Sequence, residues 1–547
     1  MFKYHHIKRR TAIITAAISF VAVLASCTKN FEKINAVWNG SASATFTQVY
    51  TSIGGNLDAT AEGMDNVGAR WLYPITQLGA VYAASDYGYG GGGNWNGFYQ
   101  NLAGINQMFT ELTTNPDSAN YTNAKAMLKV LRAYQALELS NLYGDIPYSR
   151  AGKAFSGSTA DLVVPYDKQQ AVYVSCLKDL TWAVDNFNTT STTQFSFGAK
   201  EFLLQNNISQ WVKFANSLRL RYALTIYDKD AADAGPVIAD AMTKPLLTDA
   251  VADVVGLYAS NIPGISFDLG GGGRAAFFHQ ESRARMGSTV WNLFSSNNNK
   301  DGSGIFDPRC KIYFEVNGNN EWVPYPQNPV TPINDGVTDP YKTERDGDWT
   351  LDKAGNLFSD YNYYWGRDGL TGPAGTVPEI FISTAEVHFL KAEVYARGIA
   401  GVAANMTTAQ SEYEAGIKAS ITFWTTMAYN SPIWVVNKPA AATPSDAEVN
   451  AVLTNPKVAF NAANAVSLIY AQEWVDLFRQ PWVAWTLMRR TGYATPADPA
   501  NPAGYTQNYG SLQRYQYPGD EQLYNNANWK AATGGSDLTS TKLWITK

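Results

Sequence analysis

Apolar residues spaced three and four apart recur along this 547-residue chain in separate stretches, each offering one stripe that it cannot bury alone. Met127, Val130, Leu131, Tyr134 and Leu137 form the first, with Thr122 placed to cap it and Gly144 to stop it. Leu177, Leu180, Val184 and Phe187 form a second, reached through Pro165, with Asp167 and Gln170 as a capping-box variant. Ser209 opens a third, carrying Trp211, Phe214, Ala215, Leu218, Tyr222 and Ile226. The spacing therefore predicts helices that are stable only when stacked on one another.

From about Asp228 to Val377 Gly, Asn, Pro and aromatic residues dominate and helical periodicity is short or absent. A single loop of that length would be unusual, so a loop-rich subregion with small strands or hairpins is predicted. Periodicity returns at Ser383. Ala385, Phe389, Ala392 and Ala396 make one stripe, and Val387, Leu390 and Val394 a second, as in a helix sandwiched between neighbours. Glu412 to Trp424 is a further helix. Leu468 to Phe478 runs up to Pro481, which suits the first turn of a new helix. Gly492 ends that one, after Arg489 and Arg490, whose charges favour a helix C-terminus. The tail is turn-rich, through Tyr517-Pro518-Gly519-Asp520 to Trp544.

The N-terminus has a different character. Lys3, Lys8, Arg9 and Arg10 precede a mostly apolar run from Thr11 to Leu24, and Leu24-Ala25-Ser26-Cys27 follows. That is the layout of a secretory signal, with an apolar run too short to span a bilayer as an ordinary helix. A cysteine at the cleavage point is similar to a bacterial lipobox, whose thiol is lipidated and becomes the first mature residue. The alternative is a signal peptide beside an unrelated cysteine. Residues 28–45 are small and polar and read as a tether. Removing 1–26 takes away the four basic side chains and moves the formal charge from −5 to −9. An acidic surface argues against nucleic acid, and without a polybasic patch the covalent anchor alone would hold the membrane. No later segment approaches a transmembrane run.

Besides Cys27 there are only Cys176 and Cys310, read as two lone buried thiols with pairing as the alternative. His279 and His388 are the only histidines beyond the signal, so neither HExxH nor CxxC occurs and a Ser-His-Asp triad would rest on one of these two. Length alone suggests more than one domain. Charged residues, however, are only 16% and aromatic ones reach 13%, with 16 Trp and 32 Tyr. Such a surplus fits either a recognition surface, where a ring pairs with a polar handle, or large helical repeats that bury many aromatics.

The blocks then resemble a family in sequence order. Cys27-Thr28-Lys29-Asn30-Phe31-Glu32-Lys33-Ile34-Asn35 resembles the mature start of SusD/RagB-type outer-membrane lipoproteins. Leu142-Tyr143-Gly144-Asp145-Ile146-Pro147-Tyr148 and Tyr166-Asp167 are similar to further family signatures, as is the block from Trp211 to Arg221. Asp307-Pro308-Arg309, Thr384-Ala385-Glu386, Lys391-Ala392-Glu393 and Tyr413-Glu414-Ala415-Gly416-Ile417 follow. Gln472-Glu473-Trp474, Arg489-Arg490-Thr491-Gly492 and Arg514-Tyr515-Gln516-Tyr517-Pro518 complete the set.

The resemblance implies a mainly α fold, a tetratricopeptide-like superhelix of helix pairs with a loop-rich insert carrying short strands. It implies a signal peptide over 1–26, a lipidated Cys27 and tether over 27–45, and one domain over 46–547. Within that domain 46–227 and 378–492 are expected to be helical, 228–377 loop-rich and 493–547 an irregular tail. It further implies a non-catalytic nutrient-capture protein at the outer membrane, acting as a lid on a SusC-like TonB-dependent transporter. Ligands of the family are mostly glycans, and some members bind peptides. The blocks themselves lie on predicted helices and turns and read as structural. One departure is that Thr28-Lys29-Asn30 lacks the acidic residues often found after the lipidated cysteine of surface-displayed members.

Sugar recognition stacks ring faces on aromatic side chains while Asn, Asp, Arg and Gln take the hydroxyls. Two stretches outside the strong helices have that composition: Asp86 to Asn96, with four consecutive glycines, and Asp360 to Asp368. Tyr87, Tyr89, Trp95, Tyr363 and Trp365 are expected as platforms, with Asn94 and Arg367 as polar partners; the alternative folds these loop aromatics back over the helices. Alanine at Trp95 or Trp365 is then expected to spare thermal stability. Neither Gly90–Gly93 nor Gly270–Gly273 has the Lys-Ser/Thr of a phosphate loop. Asn297-Asn298-Asn299-Lys300-Asp301-Gly302 is faintly similar to a calcium loop but has Pro308 where a bidentate Glu belongs, so an Asn-rich turn is expected. No metal or cofactor is expected. Two other classes remain open: a secreted glycoside hydrolase, whose carboxylate separation is a property of the fold, and a helical scaffold binding peptide or protein, whose interface would also be rich in Tyr and Trp.

Overall fold

The structure is a computed structural model and describes residues 42–63, 69–81, 93–158, 161–258, 284–327, 358–362, 378–431, 434, 436–493 and 512–547. The chain divides into a unit ending at Gln48 and a larger one from Val49 to Lys547. Helix α1 (Ala42–Gly63) begins inside the expected tether, so the last four residues of 27–45 are helical. It is followed by α2 (Ala69–Thr76), β1 (Ala80–Val81), α3 (Gly93–Thr114), α4 (Thr122–Tyr143), α5 (Gln169–Asn186), α6 (Ile208–Ile226) and α7 (Ala231–Ala241). The middle of the chain supplies β2 (Val255–Leu257), β3 (Ala284–Arg285), α8 (Ser288–Phe294), α9 (Arg309–Tyr313), β4 (Phe314–Glu315), β5 (Asp360–Tyr361) and β6 (Glu379–Ile382). The chain then forms α10 (Thr384–Arg397), α11 (Met406–Asn430), α12 (Asp446–Leu453), α13 (Ala465–Asp476), α14 (Pro481–Thr491), α15 (Gly519–Tyr524) and α16 (Asn526–Thr533).

The mainly α, helix-pair architecture expected from the apolar spacing is the one observed. Helices α3 to α7 pack each against the next, α10 pairs with α11, and α10 also packs on α13 and α6. Helix α14 lies against α2, α4 and α6 and so joins the two helical stretches. Among the described residues there are three two-stranded antiparallel pairings, β1–β3, β2–β6 and β4–β5; each uses a strand of the loop-rich insert, and β4–β5 lies wholly within it. The insert starts later than Asp228, because α7 still packs on α6. The tail also holds two short helices, α15 and α16.

Local signals were read correctly where backbone geometry left little choice. Gly144 stops α4 with φ +91°, which favours glycine, and Gly492 stops α14 with φ +67°. Ser383 caps α10, its Oγ accepting from the Glu386 amide at 2.9 Å, and Pro481 opens α14. The other expected caps are reassigned. Thr122 already lies within α4 and its hydroxyl donates to the Ala119 carbonyl at 2.9 Å. Asp167 accepts from the amides of Tyr148 and Ser149 at 2.9 and 2.8 Å, while Asp145 takes the Gln169 amide at 2.9 Å. Asn207, two residues before Ser209, caps α6 by accepting from Gln210 at 3.2 Å.

The sequence blocks meet in the interior. Arg221 of α6 donates to both oxygens of Glu386 on α10 at 2.5 Å each, and to the Phe381 carbonyl at 2.8 Å. Arg490 of α14 reaches both oxygens of Glu393 at 3.1 and 2.8 Å, where Arg397 and the Tyr470 hydroxyl also bond at 2.7 and 2.8 Å. Arg309, fully buried, holds Asp307, Ser420 and Gln472 at 2.6, 3.0 and 2.7 Å. Burial pushes the Glu393 carboxyl up, but Arg490 and Arg397 outweigh it and hold it below the ordinary range. Cys176 and Cys310 are both free and buried; burial pushes the Cys176 thiol up to about 12.

Removing one partner of such a pair leaves an unpaired interior charge, so Glu386→Ala is expected to cost about 3–5 kcal/mol in a urea denaturation series. Acid should act through Asp253. Burial raises its carboxyl, yet the amides of Asp249 and Thr248 with Lys213 and Gln210 bring it down to about 2. Its unfolded value is about 3.9, so the stability it contributes is complete above that pH and is lost as pH falls towards 2. Asp253→Asn is expected to flatten the thermal-stability curve over that window, which melts recorded from pH 5 to pH 2 will check.

Candidate functional site

Five of the seven residues expected to hold ligand, Tyr87, Tyr89, Tyr363, Trp365 and Arg367, lie outside the described residues, as does Cys27. The described residues that flank 82–92 and 363–377 lie close together. Strand β1, which leads into the first, pairs with β3 in the register Ala80 to Arg285 and Val81 to Ala284. Strand β5, which leads towards the second, pairs with β4 and lies beside β3. The links are an Arg285–Asp360 ion pair at 3.5 Å and a Met286 amide bonded to the Ser359 carbonyl at 3.0 Å. Gln327 ties in as well, donating to the Gly79 carbonyl at 2.8 Å. The described strands that precede these two stretches in the chain thus share one small platform.

The described residues that follow the two stretches also lie together. Asn94, just after the first stretch, and Glu379, Ile380 and Phe381, just after the second, line one cavity of about 70 Å³ with Phe98, Tyr134, Glu138 and Trp482. Tyr134 stacks on Phe381 with centroids 4.5 Å apart. Glu138 accepts from the Tyr222 hydroxyl at 2.7 Å, and burial pushes its carboxyl up despite Arg221 nearby. Glu379 faces Arg479 at 3.5 Å. A cavity of this size holds water or a methyl group but no sugar ring, since a benzene-sized ligand takes ~150 Å³. It is the mostly apolar floor under the converging chain ends. Nothing in the spacing of α4 distinguishes Tyr134 or Glu138 as lining residues, because cavity wall and core share one stripe.

Trp95 and Asn94 are placed differently from the expectation. Both lie in the first turns of α3, and Trp95 is only 4% exposed. Its ring sits 5.1 Å from Tyr99, 5.0 Å from Tyr143 and 5.6 Å from Tyr517, joining α3 to α4 and the C-terminal tail. The Asn94 oxygen is occupied by the Tyr143 hydroxyl at 3.1 Å and the Trp95 amide at 3.0 Å. The glycine run ends as α3 begins at Gly93, so Trp95 has the helical context that its neighbours suggested it lacked. Sparing of stability at this position is therefore reversed. Trp95→Ala is expected to cost about 3–5 kcal/mol, measured by chemical denaturation.

The remaining motifs resolve into structure. The Asn297–Gly302 stretch is a turn: Asn297 accepts from the Asn299 amide at 2.9 Å, Asn298 from the Trp291 indole at 2.9 Å, and Asp301 from the Ser303 amide at 2.8 Å. Among the described residues no cluster of His, Cys, Asp and Glu could hold a metal ion. His388 bonds Glu412 at 2.6 Å, bridging α10 and α11 with Lys391. Also among the described residues, no helix is long and apolar enough to cross a membrane.

Comparison with known proteins places this geometry. The SusD-like family model, described as starch-binding and associating with the outer membrane, matches residues 35–518. A SusD homologue from Parabacteroides distasonis superimposes with TM-score 0.66 at 20% identity, covering 93% of this chain and 98% of its own. A chitin-binding protein gives TM-score 0.65 at 22% identity, covering 92% and 99%. A chitin-binding SusD homologue from Flavobacterium johnsoniae gives 0.60 at 19%, covering 90% and 98%. At these identities the structures speak for the fold alone. No curated protein matches the chain. The family model and the helix-pair fold agree over nearly the whole length, and the chain belongs to the SusD-like family.

Proposed function

We propose that this protein is a non-catalytic, lipid-anchored glycan-binding protein of the outer membrane that passes its ligand to a SusC-like TonB-dependent transporter. The observation that supports the reading is that β1 and β5, which precede 82–92 and 363–377 in the chain, lie on one strand platform, while Asn94 and Glu379 to Phe381, which follow them, line one cavity. Rings held on opposite flanks of one frame can grip an extended sugar chain through repeated weak contacts, without a deep pocket. Tyr87, Tyr89, Tyr363 and Trp365 are the platforms in this reading and Arg367 a hydroxyl partner. Asn94 and Trp95 set the position of the first stretch from inside the fold. Family membership, and relatives that are named as chitin-binding, support a polysaccharide ligand. Cys27 is the lipidated residue, and the anchor faces the cell exterior.

A glycoside hydrolase remains the second reading because Glu138 and Glu379 line the same cavity. That reading needs room for a water or a glycosidic bond between two carboxyls some ~5–10 Å apart. Here the space of about 70 Å³ is too small for a sugar ring.

Native gels cast with plant, host and microbial polysaccharides test both readings. Retardation by at least one polymer without release of reducing ends is expected; released product would establish the hydrolase instead. Alanine at Tyr363 and Trp365 together is expected to weaken retardation at least tenfold with the melting temperature unchanged. Cys27→Ser is expected to move the protein out of the membrane fraction.

A further inference from the structure

The helical stack carries a second concave surface that the strand platform does not reach. Helices α5 and α7 leave a groove of about 410 Å³ between them, with Leu177 and Val237 in its apolar lining and Trp182 beside them. Trp182 is half-buried, and its position is fixed by neighbours. Lys129 of α4 sits over its ring, 5.3 Å from the centroid, and is itself held by Asp179 at 2.5 Å. The Asn186 side chain donates to the Trp182 carbonyl at 2.8 Å. Lys178, Asp185, Asn186 and Asp233 supply the polar part of the lining.

A ring held from one side, apolar floor residues and carboxylates within the same groove are the groups that grip a pyranose. The sugar's C–H face covers the indole while its hydroxyls donate to carboxylates. We propose that the α5–α7 groove is a second sugar-binding subsite, taking a pyranose ring of a neutral glycan. Its volume lies within the range of small-ligand sites, ~300–1,000 Å³. Asp185 is paired with Lys244 at 2.5 Å and Asp233 is balanced by Lys178, so the groove carries no net charge to attract a uronate or sulfated ring and suits a neutral one. Helix α5 separates the groove from α4, which lines the cavity. The groove is therefore distinct from the ligand site proposed above. A polymer engaging both would be held by avidity, which exceeds single-site affinity without any new contact. The proposal rests on the glycan-binding reading.

The test uses the full chain and the neutral polysaccharide that retards it, or, if none does, a panel of neutral oligosaccharides titrated by calorimetry. Trp182→Ala is expected to weaken polymer binding at least tenfold, and Asp233→Ala, at an exposed position, at least threefold. Short oligosaccharides bound at the strand platform are expected to bind both variants as they bind the unaltered chain. Should Trp182→Ala fail to fold, Asp233→Ala decides. Polymer binding unchanged in the folded variants would overturn the subsite while leaving the glycan reading intact. A groove that takes acidic glycans, or whose variants lose only transporter capture, would overturn it equally. No binding of any sugar by the unaltered chain would sink both.

Discussion

Buried guanidinium–carboxylate pairs hold the rest of this structure in register. An arginine inside a protein stays charged, and burial without a partner costs several kcal/mol, so each must find a carboxylate or a set of carbonyl oxygens. Arg221 finds Glu386 across 165 residues and Arg490 finds Glu393 across 97. These two pairs lock α6 and α14 to points two turns apart on α10. A slip of α10 by one turn would strand a charge. Acid is in surplus around them: burial pushes the Glu473 and Glu138 carboxyls up, keeping the extra groups towards their neutral form. The pairs specify an arrangement of helices more than they add net stability.

The C-terminal tail depends on the same frame. Arg489 lies over the Trp485 ring and donates to the carbonyls of Asn141 and Gln513 at 2.7 and 2.8 Å. The Tyr515 amide bonds the Leu142 carbonyl at 2.8 Å, and the Tyr517 hydroxyl bonds the Asp145 carbonyl at 2.7 Å. The turn after α4 is thereby clamped, and with it the aromatic cluster around Trp95. Close packing does the same elsewhere: a Cβ on Gly416 of α11 would stand 2.6 Å from the Phe389 ring on α10. The family blocks are spent on this clamping.

Trp95 shows where residue-by-residue reading failed. Next to four glycines its ring looked free, but the helix starts at the last of them and the ring turns inward. Thr122, Asp167 and Ser209 failed for a related reason. Each is a good cap by type, yet Asp167 met two loop amides and Asn207 was nearer the end of α6. By contrast Pro481, Gly144 and Gly492 are legible, because there the local backbone permits few substitutes.

The sequence by itself determined the helices, their apolar stripes, their glycine stops and the family to which the chain belongs. These follow from periodicity and local stereochemistry, which act over a few residues. Only the tertiary structure decided that Arg221 faces Glu386, that β1 and β5 share one platform, and that Trp95 lies inside. Those outcomes depend on which distant groups arrive together. A one-dimensional pattern records that a residue must be buried or paired but carries no mark of its partner.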